Sequence, residues 1–307
     1  MRTVSTAAVS LISLVMACGP AGRPHTGDDD DGIGADASGT TGPEICDDAY
    51  DNDGDGRADC SDTDCSGVGA CPVCGSVENP QATPLALPDG VSSGATCTTD
   101  ADCASTTGTP NCVAKECHAS YTSTLNFVGF PMNATLTDAT KLLNVCVDIE
   151  HSFLRDLQIE LITPPDSLGA RRVFVLHKFV SRSGGEVYLG GANDGDEGSP
   201  PVPGTGATYC WDATAMTPML TTANVGGPTH TVPSTDTGPF ASATAEELNP
   251  GNYKPMSVWS AFQGVSLNGE WTMRVTDLWH LDNGFMFKGS IKFDPSLVLD
   301  CSGPIIL

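Results

Sequence analysis

Residues 51–62 read DNDGDGRADCSD, and their acids have the spacing of the ligands in a twelve-residue EF-hand calcium loop. Gly56 stands at the sixth position, where the sharp turn of such a loop requires glycine. The predicted ligands are Asp51, Asp53, Asp55, Arg57 through its carbonyl oxygen, Asp59 and Asp62. Carboxylates are hard oxygen ligands, so the pattern predicts a structural calcium site.

The sequence around this loop departs from an EF-hand in two ways. Position 12 is Asp62 rather than glutamate, and Pro43 and several cysteines stand where an EF-hand has helices. The pattern from Glu44 to Cys65 resembles the Asp/Cys repeats of bacterial surface proteins and is similar to thrombospondin type 3 and dockerin-type calcium loops. Disulfides clamp the loop in such repeats. The alternative is a solvated acidic spacer, which would require neither the glycine nor the surrounding cysteines.

Acids are concentrated near the N-terminus of a strongly acidic chain. The formal net charge of the 307 residues is −24, and segment 28–65 holds fourteen acids and one base, Arg57. Such a charge repels phosphates, so the composition argues against a nucleic-acid partner. It is compatible with the binding of divalent cations.

The first eighteen residues predict export. Arg2 precedes an apolar run at 7–17, which is too short to cross a bilayer as a helix and is typical of a signal peptide. The run ends in VMAC, which resembles a bacterial lipobox and makes Cys18 the predicted lipidation site. We therefore expect a lipid-anchored protein of the outer membrane or cell surface. The alternative is an ordinary signal peptide with an incidental cysteine.

The cysteine count agrees with export, because removing Cys18 from the thirteen cysteines leaves an even number for disulfides. The remaining cysteines form three groups: Cys46, Cys60, Cys65, Cys71 and Cys74; Cys97, Cys103, Cys112 and Cys117; Cys146, Cys210 and Cys301. The middle group can pair within itself. The outer groups are both odd, so at least one bridge should join them, and we predict Cys71 or Cys74 with Cys301. Zinc is the competing role for Cys71 and Cys74, which lack a clear second pair of ligands.

Composition and pattern divide the chain into seven segments. They are a signal peptide (1–17), a lipid-anchored linker (18–43), the calcium-binding repeat (44–75), a second linker (76–96), a four-cysteine unit (97–118), a β-domain (119–298) and a C-terminal tail (299–307). The linkers are rich in small and polar residues that bury little surface.

The β-domain shows the period-two alternation of half-buried strands. The alternation is clearest at residues 144–150, 157–161, 271–277 and 285–293. In the last run, the side chains predicted to share one face are Phe285, Phe287, Ile291 and Phe293, with Met286 on the other face. The preceding DNG at 282–284 predicts a hairpin turn. No long amphipathic helix is evident, so the expected fold is an all-β sandwich of two antiparallel sheets.

Five segments of the β-domain follow one another in a characteristic order. They are VDIEHSFLRDLQIELITP at 147–164, GNYKP at 251–255, SAFQG at 260–264, NGEWTMRVTD at 268–277 and DNGF at 282–285. In content and order they resemble the P domain (Homo B domain) of proprotein convertases and bacterial subtilisin-like proteases. The resemblance covers residues 122–298 and implies a jelly-roll β-sandwich.

The resemblance also singles out three acids at strand ends or turns, Asp156, Asp277 and Asp282. They are expected either to cap backbone N–H groups or to hold a second cation. His151 is expected to hydrogen-bond Asp156 or the backbone rather than to act as an acid or base.

P domains accompany a large serine endopeptidase domain, but too few residues precede the match here to form one. GVSSG at 90–94 fits the G-x-S-x-G string of serine hydrolases, yet it lacks the strand and helix that expose such a nucleophile. The sequence therefore predicts a non-catalytic, calcium-stabilised envelope lipoprotein that binds a protein or glycan partner, with specificity in the loop-rich insertion 190–250. The alternative is an accessory or targeting component associated with serine-type endopeptidase activity.

Overall fold

The described part of the chain forms thirteen β-strands in two sheets. In the computed structural model this part comprises residues 45–50, 52, 58, 76–87, 94–103, 109–127, 130–193, 202–220, 226–236, 242–279, 282 and 284–297. The strands are β1 (Ser76–Ala86), β2 (Thr109–Val113), β3 (Glu116–Phe127), β4 (Leu142–His151), β5 (Gln158–Ile162), β6 (Val173–His177), β7 (Val187–Leu189), β8 (Ala207–Trp211), β9 (Thr229–Pro233), β10 (Thr244–Leu248), β11 (Gly251–Tyr253), β12 (Gly269–Thr276) and β13 (Gly284–Phe293).

Helical structure in these residues is confined to short 3-10 segments at Asp100–Cys103, Ala139–Lys141, Trp259–Phe262 and Pro295–Leu297. Within the described ranges, no helix has the length and hydrophobicity needed to cross a membrane.

The larger sheet has eight strands and the smaller sheet has five. In the larger sheet the order is β1-β13-β4-β7-β10-β9, and β8 pairs with both β4 and β11. In the smaller sheet the order is β2-β3-β12-β5-β6. Neighbours are mostly antiparallel, as predicted, but β7 pairs with β10 and β8 with β11 in the parallel direction.

One hydrophobic core combines the inward faces of both sheets. Successive side chains of a strand face opposite sides, so alternate residues point inward. The fully buried inward residues of two central strands are Val145, Val147 and Ile149 on β4 and Trp271, Met273 and Val275 on β12. The predicted all-β class with two packed sheets is therefore confirmed.

The four strands predicted from alternation are confirmed as β4, β5, β12 and β13. The prediction that Met286 faces away from the core is wrong, because Met286 is fully buried and Phe287 is only half-buried. A bulge between Met286 and Lys288 inserts one residue into β13 relative to β4. Such an insertion moves the adjacent side chain to the other face of the sheet.

The connection from β12 to β13 is not a hairpin, which corrects the prediction made from residues 282–284. β12 lies between β3 and β5 in the smaller sheet, whereas β13 lies between β1 and β4 in the larger sheet. The chain therefore passes from one sheet to the other between β12 and β13. A local turn sequence permits a reversal of direction but does not specify which strands then pair.

Two segments, predicted to be a linker and a loop-rich insertion, contain strands. Residues 76–86, assigned to a linker, form β1 at the edge of the larger sheet and pair with β13. An edge strand tolerates Pro80 and Pro84, because its outer side needs no ladder of hydrogen bonds. The insertion 190–250 supplies β8, β9 and β10, and Tyr209 of β8 is fully buried.

The cysteines of the four-cysteine unit pair with one another, as predicted. The disulfides are Cys97–Cys112 and Cys103–Cys117. Strand β3 starts in this unit and continues into the smaller sheet, where residues 121–127 pair with β12. The unit is therefore continuous with the sandwich through a single strand.

A third disulfide joins Cys146 of β4 to Cys210 of β8. Cys46 is also disulfide-bonded. The predicted bridge from Cys71 or Cys74 to Cys301 lies outside the described residues.

A charged network, buried at Arg274 and Glu160 and partly exposed at Asp100, attaches the four-cysteine unit to the outer face of the smaller sheet. Arg274 of β12 donates to Glu160 of β5 (Nε to Oε2, 2.8 Å) and to Asp100 of the unit (Nη1 to Oδ2, 2.7 Å). Asn111 of β2 donates to Glu160 and to Thr276. Breaking a buried ion pair leaves a charge without compensation, so these contacts make the packing of the unit and of the sheet interdependent.

His177 at the end of β6 gives the fold a specific sensitivity to acid. Its Nε2 atom lies 3.0 Å from the carbonyl oxygen of Leu154, and burial lowers the pKa of His177 to about 4. A histidine in the unfolded chain has a pKa near 6.5, so the unfolded state binds the proton first as the pH falls. We expect this group to lower the free energy of unfolding by up to about 3 kcal/mol between pH 6.5 and pH 4.

Chemical denaturation at pH 7, 5.5 and 4 measures this effect. The matched variant is His177→Gln, which keeps a donor for the Leu154 carbonyl but does not titrate. We expect the variant to lose this part of the pH dependence, and an equal pH dependence in both proteins would contradict the prediction.

Candidate cation site

Two chain segments that are distant in sequence meet at the same place in the fold: the connection from β4 to β5 and the residue that follows β12. β4 ends at His151, β5 begins two residues after Asp156, and β12 ends immediately before Asp277. Thr276 pairs with Gln158 in the smaller sheet, which places Asp277 beside the start of β5. Because β4 belongs to the larger sheet, the three side chains meet where the ends of the two sheets come together.

His151, Asp156 and Asp277 form a compact group that we call the acidic cluster. One nitrogen or carboxylate oxygen from each residue lies within 4.8 Å of the others. Two ligands that are each about 2.4 Å from one calcium ion can be at most about 4.8 Å apart, so this spacing suits a shared ion. The residues are 0%, 0% and 1% exposed, respectively, so the cluster is sealed from bulk water.

Asp156 is the least compensated member of the cluster. Neither of its carboxylate oxygens has a hydrogen-bond partner. Burial raises its pKa well above the ordinary value, and the charges of Asp277 and Asp282 raise it further. A carboxylate buried in this way costs several kcal/mol unless it is protonated or paired with positive charge. The position therefore favours either a proton or a cation.

Asp277 combines a capping role with a contact to His151. Its Oδ1 atom accepts a hydrogen bond from the backbone N–H of Trp279 at 2.8 Å, which is the capping role considered from the sequence. Its Oδ2 atom lies 3.7 Å from His151 Nε2. Asp282 is half-buried, and its charge raises the pKa of both His151 and Asp156. All three predicted acids therefore act on one small volume.

His151 presents a proton, rather than a lone pair, to the cluster. Its Nδ1 atom accepts a hydrogen bond from the backbone N–H of Phe153 at 2.9 Å, in agreement with the predicted backbone contact. Neutral imidazole carries one N–H, so this proton resides on Nε2, toward Asp277. Burial lowers the pKa of His151, but the carboxylates of Asp277 and Asp282 raise it, and the net direction is upward.

The resulting ligand set consists of carboxylate oxygens, with His151 as a donor that orients them. Oxygen-only sites suit hard cations such as calcium and magnesium, whereas zinc prefers the lone pair of an imidazole. Asp156 and Asp277 are the residues that can bind a cation directly, and Asp282 is near enough to add charge. The chemistry that this arrangement supports is cation binding without an exposed reaction site.

Gly284 is a part of the site that sequence reasoning missed, because its place in DNG was interpreted only as a turn. A Cβ atom added at Gly284 would lie 2.2 Å from His151 Cδ2. The imidazole of His151 therefore occupies the space that a Cβ atom at position 284 would fill, so only glycine fits at this position. Only the packing of β13 against β4 reveals this requirement, since Gly284 pairs with His151 across the two strands.

Other predicted site residues lie outside the described part of the chain. These are the calcium-loop residues Asp51, Asp53, Asp55, Arg57, Asp59 and Asp62, the lipidation site Cys18, and Ser92 of the GVSSG string. Their roles stay predictions.

A second feature lies at the opposite end of β12, where loops surround an open groove of about 550 Å³. Its lining comes from residues 133–135 and 164–167 and from residues 264, 266, 268 and 269, the last of which begins β12. Leu168 and Met132 adjoin two of these segments and are 91% and 88% exposed.

Local hydrogen bonds hold both exposed tips in place. Asp166 Oδ1 accepts from the backbone N–H of Leu168 at 2.9 Å, and the N–H of Ala134 donates to the Pro131 carbonyl at 2.9 Å, closing the turn that contains Met132. Two large apolar side chains are therefore presented to solvent from ordered turns.

Comparison of the chain with protein-family models, with curated proteins and with solved structures finds no match. The P-domain resemblance therefore depends on the ordered motifs alone.

Gly284→Ala tests the packing around His151. The added Cβ would lie 2.2 Å from His151 Cδ2 and 2.9 Å from the carbonyl oxygen of Glu150. Because the backbone carbonyl cannot easily move, the imidazole of His151 has to leave its place. We expect the free energy of unfolding to fall by about 2 kcal/mol or more, measured by chemical denaturation. Gly289→Ala is the matched control on the same strand, because its nearest neighbour is the flexible end of Met286 at 3.2 Å. Equal losses in the two variants would contradict the assignment.

Proposed function

We propose that this chain is a non-catalytic, calcium-stabilised lipoprotein of the cell envelope whose β-sandwich binds a protein partner. In this proposal residues 1–17 direct export, Cys18 carries the lipid, and residues 51–62 form a calcium loop that follows the lipid-anchored linker in the sequence. The sandwich is a jelly roll of the P-domain type, held rigid by disulfides and by a second cation in the acidic cluster.

One observation carries the proposal, namely the fully buried and unpartnered carboxylate of Asp156 beside Asp277. A cation would neutralise this charge and would be bound only by the folded chain, so it would stabilise the fold by mass action. Calcium is favoured over zinc because His151 directs its Nε2 proton, rather than a lone pair, at the cluster. An exported protein also meets abundant calcium, so a weak site is sufficient.

The environments of two buried histidines support a non-catalytic role. His151 is bound by the backbone N–H of Phe153 and faces Asp277, and His177 contacts the backbone carbonyl of Leu154. Both histidines are buried in the fold, at 0% and 3% exposure. These contacts position backbone and carboxylate groups, whereas a catalytic histidine must reach a substrate or nucleophile.

The groove at the other end of the sandwich supports partner binding. Leu168 and Met132 present apolar side chains from fixed turns beside the groove, and we infer that they form one apolar patch, a feature of protein interaction sites. Asn133, Thr135 and Ser167 add uncharged polar groups to the lining of the groove. Exposed aliphatic side chains favour a protein partner over a glycan. Binding to a glycan is the alternative outcome of the binding experiment.

Asp156→Asn tests the cation site. The variant keeps the shape of the side chain but removes its charge. At calcium concentrations 100-fold above the dissociation constant, we expect wild type to gain about 2.7 kcal/mol over its stability in chelator. We expect Asp156→Asn to lose this gain while being at least as stable as wild type in chelator, because an uncompensated buried charge has been removed.

Calorimetric titration with calcium separates the acidic cluster from the N-terminal loop. The double variant Asp53→Ala/Asp55→Ala should remove the heat of the loop and keep the stabilisation that depends on Asp156. If Asp156→Asn keeps its full stabilisation by calcium, the acidic cluster is not a calcium site.

Leu168→Ser combined with Met132→Ser tests the binding surface. We expect purified wild-type protein to capture a specific envelope protein from membrane extracts, and the double variant to lose at least about 90% of it. Met216→Ser is the matched control, because Met216 is 82% exposed on a different loop. Equal capture by all three proteins would refute the proposed surface. A captured subtilisin-like protease would favour the accessory role, and binding only to carbohydrate would favour a glycan partner.

A further inference from the structure

The segment between β6 and β7 is fastened to both chain segments that supply the acidic cluster. Val180 and Ser181 donate their backbone N–H groups to the carbonyl of Arg155 at 2.8 and 3.1 Å. Arg155 Nε in turn donates to the carbonyl of Gly185 at 3.0 Å. Arg155 immediately precedes Asp156, so this loop is attached at one side of the cluster.

Arg182, in the same loop, makes the attachment on the other side. Its Nε atom donates to the carbonyl of Leu278 at 2.7 Å, and Leu278 immediately follows Asp277. Its Nη2 atom donates to Glu116 Oε2 at 2.6 Å. Glu116 is the first residue of β3, next to Cys117 of the four-cysteine unit. One side chain therefore joins the loop, the end of β12 and the start of β3.

Two aromatic rings hold the guanidinium in place. Its carbon atom lies 5.7 Å from the ring centres of both Phe179 and Trp279, within the range of cation–π attraction. The Arg182 side chain is 21% exposed, whereas the acidic cluster is sealed. Arg182 is therefore a partly exposed, fixed positive charge beside a buried group of carboxylates. Its charge reaches that group, because it lowers the pKa of Asp156 against the upward effect of burial.

We propose that Arg182 is a positioning residue that closes the acidic cluster and sets the rate at which its cation exchanges with solvent. The inference depends on the cation site proposed above. An ion cannot enter or leave a sealed site unless a neighbouring segment moves, and the loop between β6 and β7 is attached on both sides of it. Moving this loop requires the charge-assisted hydrogen bonds of Arg182 to break, which makes exchange slow.

The same contacts connect cation exchange to the four-cysteine unit. Glu116 belongs to β3, whose neighbour Cys117 is tied to Cys103 by a disulfide. Weakening the Glu116 contact should therefore accelerate cation exchange, as the loss of Arg182 does. The acceleration should be smaller, because the Leu278 contact remains. This graded response is specific to a closing role.

Terbium(III), a luminescent substitute for calcium, tests the inference through excitation of tryptophan. The full chain carrying Asp53→Ala/Asp55→Ala is loaded with terbium, and the decay of luminescence is followed after rapid mixing with excess EDTA. The signal of the acidic cluster is the part that Asp156→Asn removes. We expect Arg182→Ala to accelerate this decay by about tenfold or more. Arg182→Lys and Glu116→Gln should give smaller accelerations.

Arg171→Ala is the matched control, because Arg171 pairs with Glu270 at 3.0 Å near the groove end of the sandwich. It should leave the decay unchanged. If Arg182 only stabilises the fold, Arg182→Ala should lower the melting temperature in EDTA without changing the decay rate. If Arg182→Ala and Arg182→Lys both decay within about twofold of the parent, the closing role is refuted while the cation site stands. If the parent gives no luminescence that depends on Asp156, both the cation site and the inference are refuted.

Discussion

The burial of the Asp156 carboxylate without a hydrogen-bond donor is the constraint that shapes one end of this protein. A charge in that position costs several kcal/mol unless a proton or a positive ion compensates it. Asp277 increases the cost, because its own charge raises the pKa of Asp156. Gly284 leaves room for the His151 ring, and Arg182 brings positive charge to the edge of the cluster. A bound cation would complete this balance of charge.

The two ends of the sandwich differ in burial and in polarity. β12 runs between them, with the acidic cluster after Thr276 and the groove before Gly269. One end is sealed and polar, and it suits stabilisation. The other end is open and exposes Leu168 and Met132, and it is the surface proposed above for contact with a partner. The disulfide between β4 and β8 and the ionic network around Arg274 hold the strands that link these ends.

The sequence predicted much of the fold and part of the site. Period-two alternation located four strands correctly, because a half-buried strand imposes that period directly on the residue types. The same rule misplaced Met286, since a bulge changes the facing of a residue without changing the local composition. β1 was assigned to a linker because the segment is rich in Pro, Gly and Ser, whereas its place at the sheet edge, where proline is tolerated, is a property of the whole fold.

By itself, the sequence determined the local features of this protein: the alternation that makes its strands and the group of four cysteines that pair within a short segment. It also marked Asp156, Asp277 and Asp282 as candidates. Only the tertiary structure decided that Asp156 is buried without a partner beside Asp277, and that Arg182 lies next to them. The physical reason is distance along the chain: these residues meet through strand pairing and sheet packing, which no local pattern of residues encodes.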